Sequence, residues 1–192
     1  MSEFLKRQKV SFCLIWFVFL GSCDTAYKPK PRGFNYISFP EKNYQNIDVK
    51  GVYLFKKNTL ANHFLDPELP WVTIKYKKLK AEILITHKEI ITESDLYTFI
   101  EESYKLIGRH QIKAESILEK KVITSKKKQA TIFEIKGAVA SPYQFITTDS
   151  IKNFLRVALY LDVPIENDSI APIINYLKDD VNQILNTLTW NE

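Results

Sequence analysis

Trp71-Val72-Thr73-Ile74-Lys75-Tyr76 and Lys80-Ala81-Glu82-Ile83-Leu84-Ile85-Thr86 alternate apolar and polar residues on either side of Lys77-Lys78-Leu79. Successive side chains of a strand point to opposite faces, so Val72, Ile74 and Tyr76 share one face while Thr73, Lys75 and Lys77 share the other. The spacing predicts an antiparallel hairpin with one buried face and one wet, lysine-bearing face. Solvation of that face, rather than a stripe for nucleic acid, accounts for the lysines.

Downstream, Thr92-Glu93-Ser94-Asp95 supplies a cap and early acids for a helix whose Leu96, Phe99, Ile100, Ser103 and Ile107 recur at helical spacing until Gly108. Glu101 and Glu102 fall on its outer side, where adjacent carboxylates do not point into a common site. Strands are expected over Ala114–Val122, Ala130–Lys136 and Tyr143–Thr148. Phe154-Leu155-Arg156-Val157-Ala158-Leu159-Tyr160-Leu161 fits a buried strand or a helix turn by periodicity alone. A strand paired with Tyr143–Thr148 across Asp149–Asn153 is the favoured reading. The last element is a helix capped by Asp168 or Ser169, with Pro172 in its first turn and an apolar stripe of Ile173, Ile174, Leu177, Val181, Ile184, Leu185 and Leu188.

Upstream, strands are expected over Phe34–Phe39 and Val52–Phe55, and Asn58–Pro70, with its two prolines, reads as a loop. The sum is an α+β domain, a mostly antiparallel sheet with two main helices packed on it, over residues 34–192. Asp24–Gly33 reads as a tether, because Lys28-Pro29-Lys30-Pro31 favours extended backbone.

The N-terminus has a different character. Lys6, Arg7 and Lys9 precede Val10–Leu20, which carries no charge. Eleven residues span about 16 Å as a helix against a hydrocarbon core of about 30 Å, so the layout is that of a signal peptide rather than an anchor helix. Leu20-Gly21-Ser22-Cys23 follows directly and resembles the bacterial lipobox. That resemblance implies cleavage before Cys23, a diacylglycerol on its sulfur and acylation of its freed amine. Two or three acyl chains give stable attachment.

The chain has 192 residues, 45% hydrophobic, 26% charged and 13% aromatic, enough for one packed domain and too rich in aromatics for a disordered chain. Its formal charge of +5 falls to +3 once residues 1–22 are removed, because Lys6, Arg7, Lys9 and Glu3 leave with them. That remainder does not argue for nucleic acid. Cys13 and Met1 leave as well, so the 170 residues that remain carry no sulfur except that of Cys23. No thiolate catalysis or zinc–thiolate site is expected, and no cofactor.

Catalytic templates find no match. Gly33, Gly51, Gly108 and Gly137 stand apart, so there is no phosphate-cradling loop and no nucleophile elbow. His63, His87 and His110 lie in separate segments without metal-ligand spacing. A triad of Ser141 or Ser150 with His110 and Asp149 has no support in spacing, and turn roles explain Asp149 and Ser150 better. Arg109-His110 follows the helix end, where it can meet the last carbonyls or a ligand. Arg156 stands inside an apolar run and needs a carboxylate partner, a route to solvent or a ligand, with a structural ion pair the favoured reading. Arg32, in the tether, joins Arg109, His110, Asp149 and Arg156 as a candidate interaction or structural residue.

Several pieces, in order, resemble the gliding-motility lipoprotein GldD family of the Bacteroidetes: Pro29-Lys30-Pro31-Arg32-Gly33, Phe39-Pro40-Glu41-Lys42 with Tyr44, Arg109-His110 with Lys113-Ala114, Ile135-Lys136-Gly137, Gln144-Phe145 with Thr148-Asp149-Ser150, Phe154-Leu155-Arg156 with Ala158-Leu159-Tyr160, and Asp168-Ser169 with Ala171-Pro172. Asn58–Pro70 and Lys77-Lys78-Leu79 depart from the pattern. The resemblance implies a non-enzymatic envelope lipoprotein, lipid-anchored and facing the periplasm, on the outer membrane in preference to the inner. It also implies a role in gliding and in type IX secretion, with other gliding lipoproteins as partners. The order of elements is similar to the α/β/α sandwich of the PsbP family, which bears on fold alone. A different reading is a ligand-binding or hydrolytic lipoprotein with a pocket around Arg109, His110 and Arg156.

Replacing the lipidated sulfur tests the anchor. Cys23→Ala should yield an unprocessed, unacylated protein by mass spectrometry that no longer partitions as a lipoprotein; unchanged mass and partitioning would refute it.

Overall fold

The computed structural model describes residues 38–162 and 167–191, including all their side chains except those of residues 167–169. The signal peptide, Cys23, the tether with Arg32, Phe34–Ile37 and the capping side chains of Asp168 and Ser169 lie outside the described residues. Ten strands and two helices are described: β1 (Tyr44–Val49), β2 (Tyr53–Asn58), β3 (Asn62–Leu65), β4 (Val72–Tyr76), β5 (Ala81–Glu89), α1 (Glu93–Gly108), β6 (Ala114–Ile123), β7 (Gln129–Gly137), β8 (Tyr143–Thr148), β9 (Asn153–Leu161), α2 (Asn167–Thr187) and β10 (Thr189–Trp190).

The Trp71–Thr86 hairpin forms as its alternation requires. Val72 faces Ile85, Ile74 faces Ile83 and Tyr76 faces Ala81, and all six are buried. The connection is a 3₁₀ turn over Lys77–Leu79, closed by Lys80 at φ 50°. On the wetter face Lys75 stands opposite Glu82 at 3.9 Å. This hairpin is the nucleus of a seven-stranded antiparallel sheet in the order β3-β4-β5-β9-β8-β7-β6. β9 does pair with β8, Phe145 opposite Val157, as the strand reading of Phe154–Leu161 expects. It lies between β5 and β8 and is buried on both faces, which is why its sequence carries no alternation.

The two faces of the sheet carry different layers. Against one lies α1, where Phe99, Ile100 and Ile107 meet Phe133, Ile135, Ile146 and Phe154. Asp95 accepts the N–H groups of Ile91 and Thr92 at 3.0 and 2.7 Å and fixes the start of that helix. Against the other lie α2 and a small antiparallel sheet, β1-β2-β10. There Leu177, Val181 and Ile184 join Tyr53, Phe55, Ile83, Val157 and Leu159 in one core. The result is an α+β fold, mostly antiparallel, with a helix on each face of the main sheet.

Three expectations need correction. Ser38 and Phe39 are not in a strand; Phe39 instead lies flat on the Tyr176 ring, centroids 4.4 Å apart. The first strand is β1, whose Gln45, Asn46 and Asp48 obscure it because only Ile47 and Val49 are turned to the core. Within Asn58–Pro70 the four-residue edge strand β3 pairs with β4 and leaves Phe64 and Leu65 exposed, so it has no buried face to mark it. Pro172 lies inside α2 rather than in its first turn, because the helix begins at Asn167.

A buried carboxylate ties these layers together. Asp180 of α2 is 2% exposed. It accepts hydrogen bonds from Tyr44 Oη at 2.8 Å, Tyr76 Oη at 2.8 Å and Asn58 Nδ2 at 3.1 Å, and Lys42 Nζ lies 3.3 Å away. Donors from the segment before β1, from β1, from β2 and from β4 thus converge on one side chain of α2. A buried charge is tolerable only when compensated in this way, and stripping away its partners leaves a large penalty.

Asp180→Ala should lower the unfolding free energy of the protein by about 3 kcal/mol in urea titration, the scale of a broken buried charge network; a loss below about 0.5 kcal/mol would contradict the assignment. The phenols of Tyr76 and Tyr44 are pushed well up, by burial first and then by Asp180, and burial does the same to Tyr53. Below pH 10 these phenols are protonated in both states and their contribution is complete. Above about pH 10 the unfolded chain ionises first, so stability should fall by up to about 1.4 kcal/mol per pH unit for each of the buried phenols Tyr53 and Tyr76, and by less for the half-exposed Tyr44, which solvent screens. A flat stability profile from pH 9 to 11 in chemical denaturation would oppose this.

Candidate functional site

At one end of the sheet the chain folds several polar residues toward one another. α1 runs into a 3₁₀ turn over Arg109–Ile112, closed by Lys113 N–H donating to His110 O at 3.0 Å. β7 ends at Gly137, whose φ of 115° excludes other residues, and whose Cβ, were there one, would sit 2.5 Å from Lys113 O. That close approach presses the loop after β7 against the turn after α1. Ala140 O accepts the N–H of Leu161 at 2.9 Å, fixing the other side of the loop to the end of β9.

Between turn and loop lies a cavity of about 480 Å³ lined by Arg109, His110, Lys113, Ala138–Ala140, Leu161 and Asp162 among others. A second, of about 550 Å³, lies on the far side of the same loop, with Glu134, Lys136, Asn175 and Lys178 in its wall. Lys178 there is ion-paired with Glu134.

Arg156 is in the wall of neither cavity. On β9 it stands opposite Thr86 and Ile146, on the α1 face, and is 9% exposed. The expected ion pair is absent: among the described residues no carboxylate comes within 4 Å of its guanidinium. Its Nη2 donates to the neutral Gln144 Oε1 at 2.5 Å. Arg156 Nε, Gln144 Nε2 and Ser141 Oγ are buried with no partner among the described residues. A buried guanidinium that lacks an anion carries an effective penalty of several kcal/mol. Burial, and then the Arg156 charge, hold the His110 imidazole below its ordinary value, so the two groups share one electrostatic environment.

Arg109 and His110 therefore share a cavity at the Leu161 end of β9, Arg156 lies midway along that strand with its charge acting on His110, and Asp149 is at the other end. Asp149 lies in the β8–β9 turn at the opposite end of these strands, where its Oδ1 accepts the N–H groups of Ile151, Lys152 and Asn153 at 2.8–3.0 Å. Burial raises its carboxyl, and these hydrogen bonds outweigh burial and hold it low. It is a turn residue, and Ser150 beside it takes φ 63°. No triad of Ser, His110 and Asp149 is assembled.

One group that the sequence reading leaves unassigned is a chain of side chains at the Asp149 end. Asp149 Oδ2 accepts from Asn153 Nδ2 at 2.6 Å, and Asn153 Oδ1 faces His87 Nε2 at 2.8 Å. With the Asn153 amide oriented by Asp149, His87 Nε2 carries the proton. The imidazole packs in a three-ring cluster with Tyr53 and Trp190, ring centroids at 5.7 and 6.2 Å, and burial holds it below its ordinary value. Only the inward alternation of His87 with Ile83 and Ile85 marks it in the sequence, which is a core signal rather than a site signal. Among the described residues no three His, Cys, Asp or Glu side chains are grouped to hold a metal ion.

No helix among the described residues is long and apolar enough to cross a membrane. No curated protein matches the chain. The family described as gliding motility lipoprotein GldD matches residues 24–190. The pieces that carry the resemblance now have places: Phe39–Lys42 and Tyr44 bind α2, and Arg109-His110, Lys113, Lys136-Gly137, Gln144 and Arg156 surround the end of the sheet just described. With a match that begins directly after Cys23 and ends at Trp190, the last residue of β10, the chain belongs to the gliding motility lipoprotein GldD family.

Proposed function

We propose that this gliding motility lipoprotein works without catalysis, held in the cell envelope by lipid on Cys23, by binding or stabilising partner lipoproteins of the gliding and type IX secretion apparatus. The observation that carries the reading is the family match over residues 24–190, which starts immediately behind the lipobox cysteine. The arrangement Leu20-Gly21-Ser22-Cys23 accounts for attachment, the Pro-rich Asp24–Gly33 for a spacer, and the folded domain for a body that partners can grip. Its place is the periplasmic side of a membrane, the outer in preference to the inner.

A ligand-binding lipoprotein is the second reading, and one observation favours it: Arg109 and His110 line a common cavity, and His110 feels the charge of Arg156. The hydrolytic form of that reading rests on the same three residues, Arg109, His110 and Arg156, and not on Asp149, which is committed to a turn.

Deleting the protein should abolish both surface spreading and export of adhesins, and crosslinking in native envelopes should capture other gliding lipoproteins. A deletion strain that glides and secretes normally would end the proposal. In the complemented strain, His110→Ala that keeps wild-type partner levels and spreading would weigh for the scaffold over the ligand-binding reading.

A further inference from the structure

Arg156 has a charge that nothing in the described residues offsets. A guanidinium stays protonated at every physiological pH, presents five N–H donors and matches oxyanions through two of them at once. Here one donor meets a neutral amide oxygen, Gln144 Oε1, and Nε has no acceptor. The two other buried orphans, Gln144 Nε2 and Ser141 Oγ, can both donate. Gln144 lies on the same face as Arg156, opposite Ala158, so the bond between them draws the guanidinium along β9 toward its Leu161 end. That is the end where Arg109, His110 and Lys113 line the cavity, with Asp162 the acid in its wall, and where Ser141 follows Ala140 of the same wall. A water molecule placed among these donors would accept hydrogen bonds but would leave the charge uncompensated.

We infer that this end of the sheet binds a compact oxyanion, a carboxylate or phosphate group, seated on Arg156 and Gln144 and reached through the cavity between Arg109–Lys113 and Ala138–Ala140. Arg109 and Lys113 add positive potential on the entry side, the neutral His110 imidazole can donate an N–H there, and Gln144 orients the guanidinium. The group is recognised by charge and by paired N–H donors, which chloride cannot engage in the same bidentate way. The site is independent of the scaffold role: its failure would leave the envelope assignment standing, and its success would give that role a chemical partner.

The full-length protein in detergent supplies the test, with thermal unfolding and calorimetric titration against inorganic phosphate, against acetate, and against chloride at matched ionic strength. Phosphate or acetate should raise Tm saturably above the chloride control, and whichever does so names the anion. Arg156→Met should lose the response while its Tm in chloride is no lower than that of the parent, since it removes a buried, uncompensated charge. Arg156→Lys, which keeps the charge but not the fork, should weaken binding about tenfold or more. If Arg156→Met does not fold, His110→Gln on the half-buried turn carries the test: a several-fold weaker anion affinity supports the site, and an unchanged one overturns it. Equal Tm in all three anions, or a response that survives Arg156→Met intact, overturns it as well.

Discussion

Asp180 is a carboxylate with almost no access to water, and the domain is organised by the donors that make this tolerable. Tyr44, Tyr76, Asn58 and Lys42 come from three strands and from the segment ahead of β1, and each must be in place for the charge to be compensated. The apolar contacts around Leu177, Val181 and Ile184 supply the bulk of the burial, but such contacts are non-directional. The hydrogen bonds to Asp180 are directional, and they set how α2, β1, β2 and β4 sit on one another. The segment that leads back toward Cys23 is fastened at the same place: Lys42 Nζ lies over the Tyr176 ring at 4.1 Å, Tyr176 Oη donates to Pro40 O at 3.2 Å, and Phe39 stacks on Tyr176. Tension on the residues ahead of β1 would therefore be borne by α2.

Asp180 and Arg156 make an instructive pair. Both are buried charges in a mixed core, one on each face of the main sheet, and both cost free energy to desolvate. Asp180 recovers that cost within the protein. Among the described residues Arg156 has only Gln144, on a face otherwise lined by Phe133, Ile135, Ile146 and Phe154. Replacing such an arginine with an apolar residue is commonly neutral or stabilising, so its presence calls for a reason outside the folding of this chain. Lys57 offers a contrast at smaller scale: it is 3% exposed, but its ammonium donates to the carbonyls of Asn58 and Ala61 and thereby closes the turn before β3.

The elements readable from the sequence were those whose burial is one-sided or whose caps are chemical. The Val72–Ile85 hairpin has its period of two, α1 has its period of 3.6 and its Asp95, and the stripe from Ile174 to Leu188 marks α2. β1 and β3 escaped because a strand in a small or edge sheet buries too few side chains to impose a pattern. In the candidate site, Arg109 and His110 were recognisable as a pair at a helix end, and Arg156 as a misplaced charge. That the Arg156 charge acts on His110 is not readable, because it depends on the β8–β9 register and on Gly137 letting the loop close on Lys113. Among the described residues Arg156 has no ion pair, for a related reason: sequence shows that a buried charge needs a partner, not which residues stand near it. Asp180 is hidden for the opposite reason, since an acid next to Asp179 on an amphipathic helix looks like a solvated residue.

The most direct measurement of the central claim is native-state hydrogen exchange on the amides of β1, β2, β4 and α2. If Asp180 joins these elements into one cooperative unit, their slowest amides exchange through a single opening of shared free energy, and in Asp180→Asn that free energy falls together for all four. If β1 and the end of β2 exchange through their own low-energy opening while α2 and β4 keep full protection in both proteins, the account is wrong.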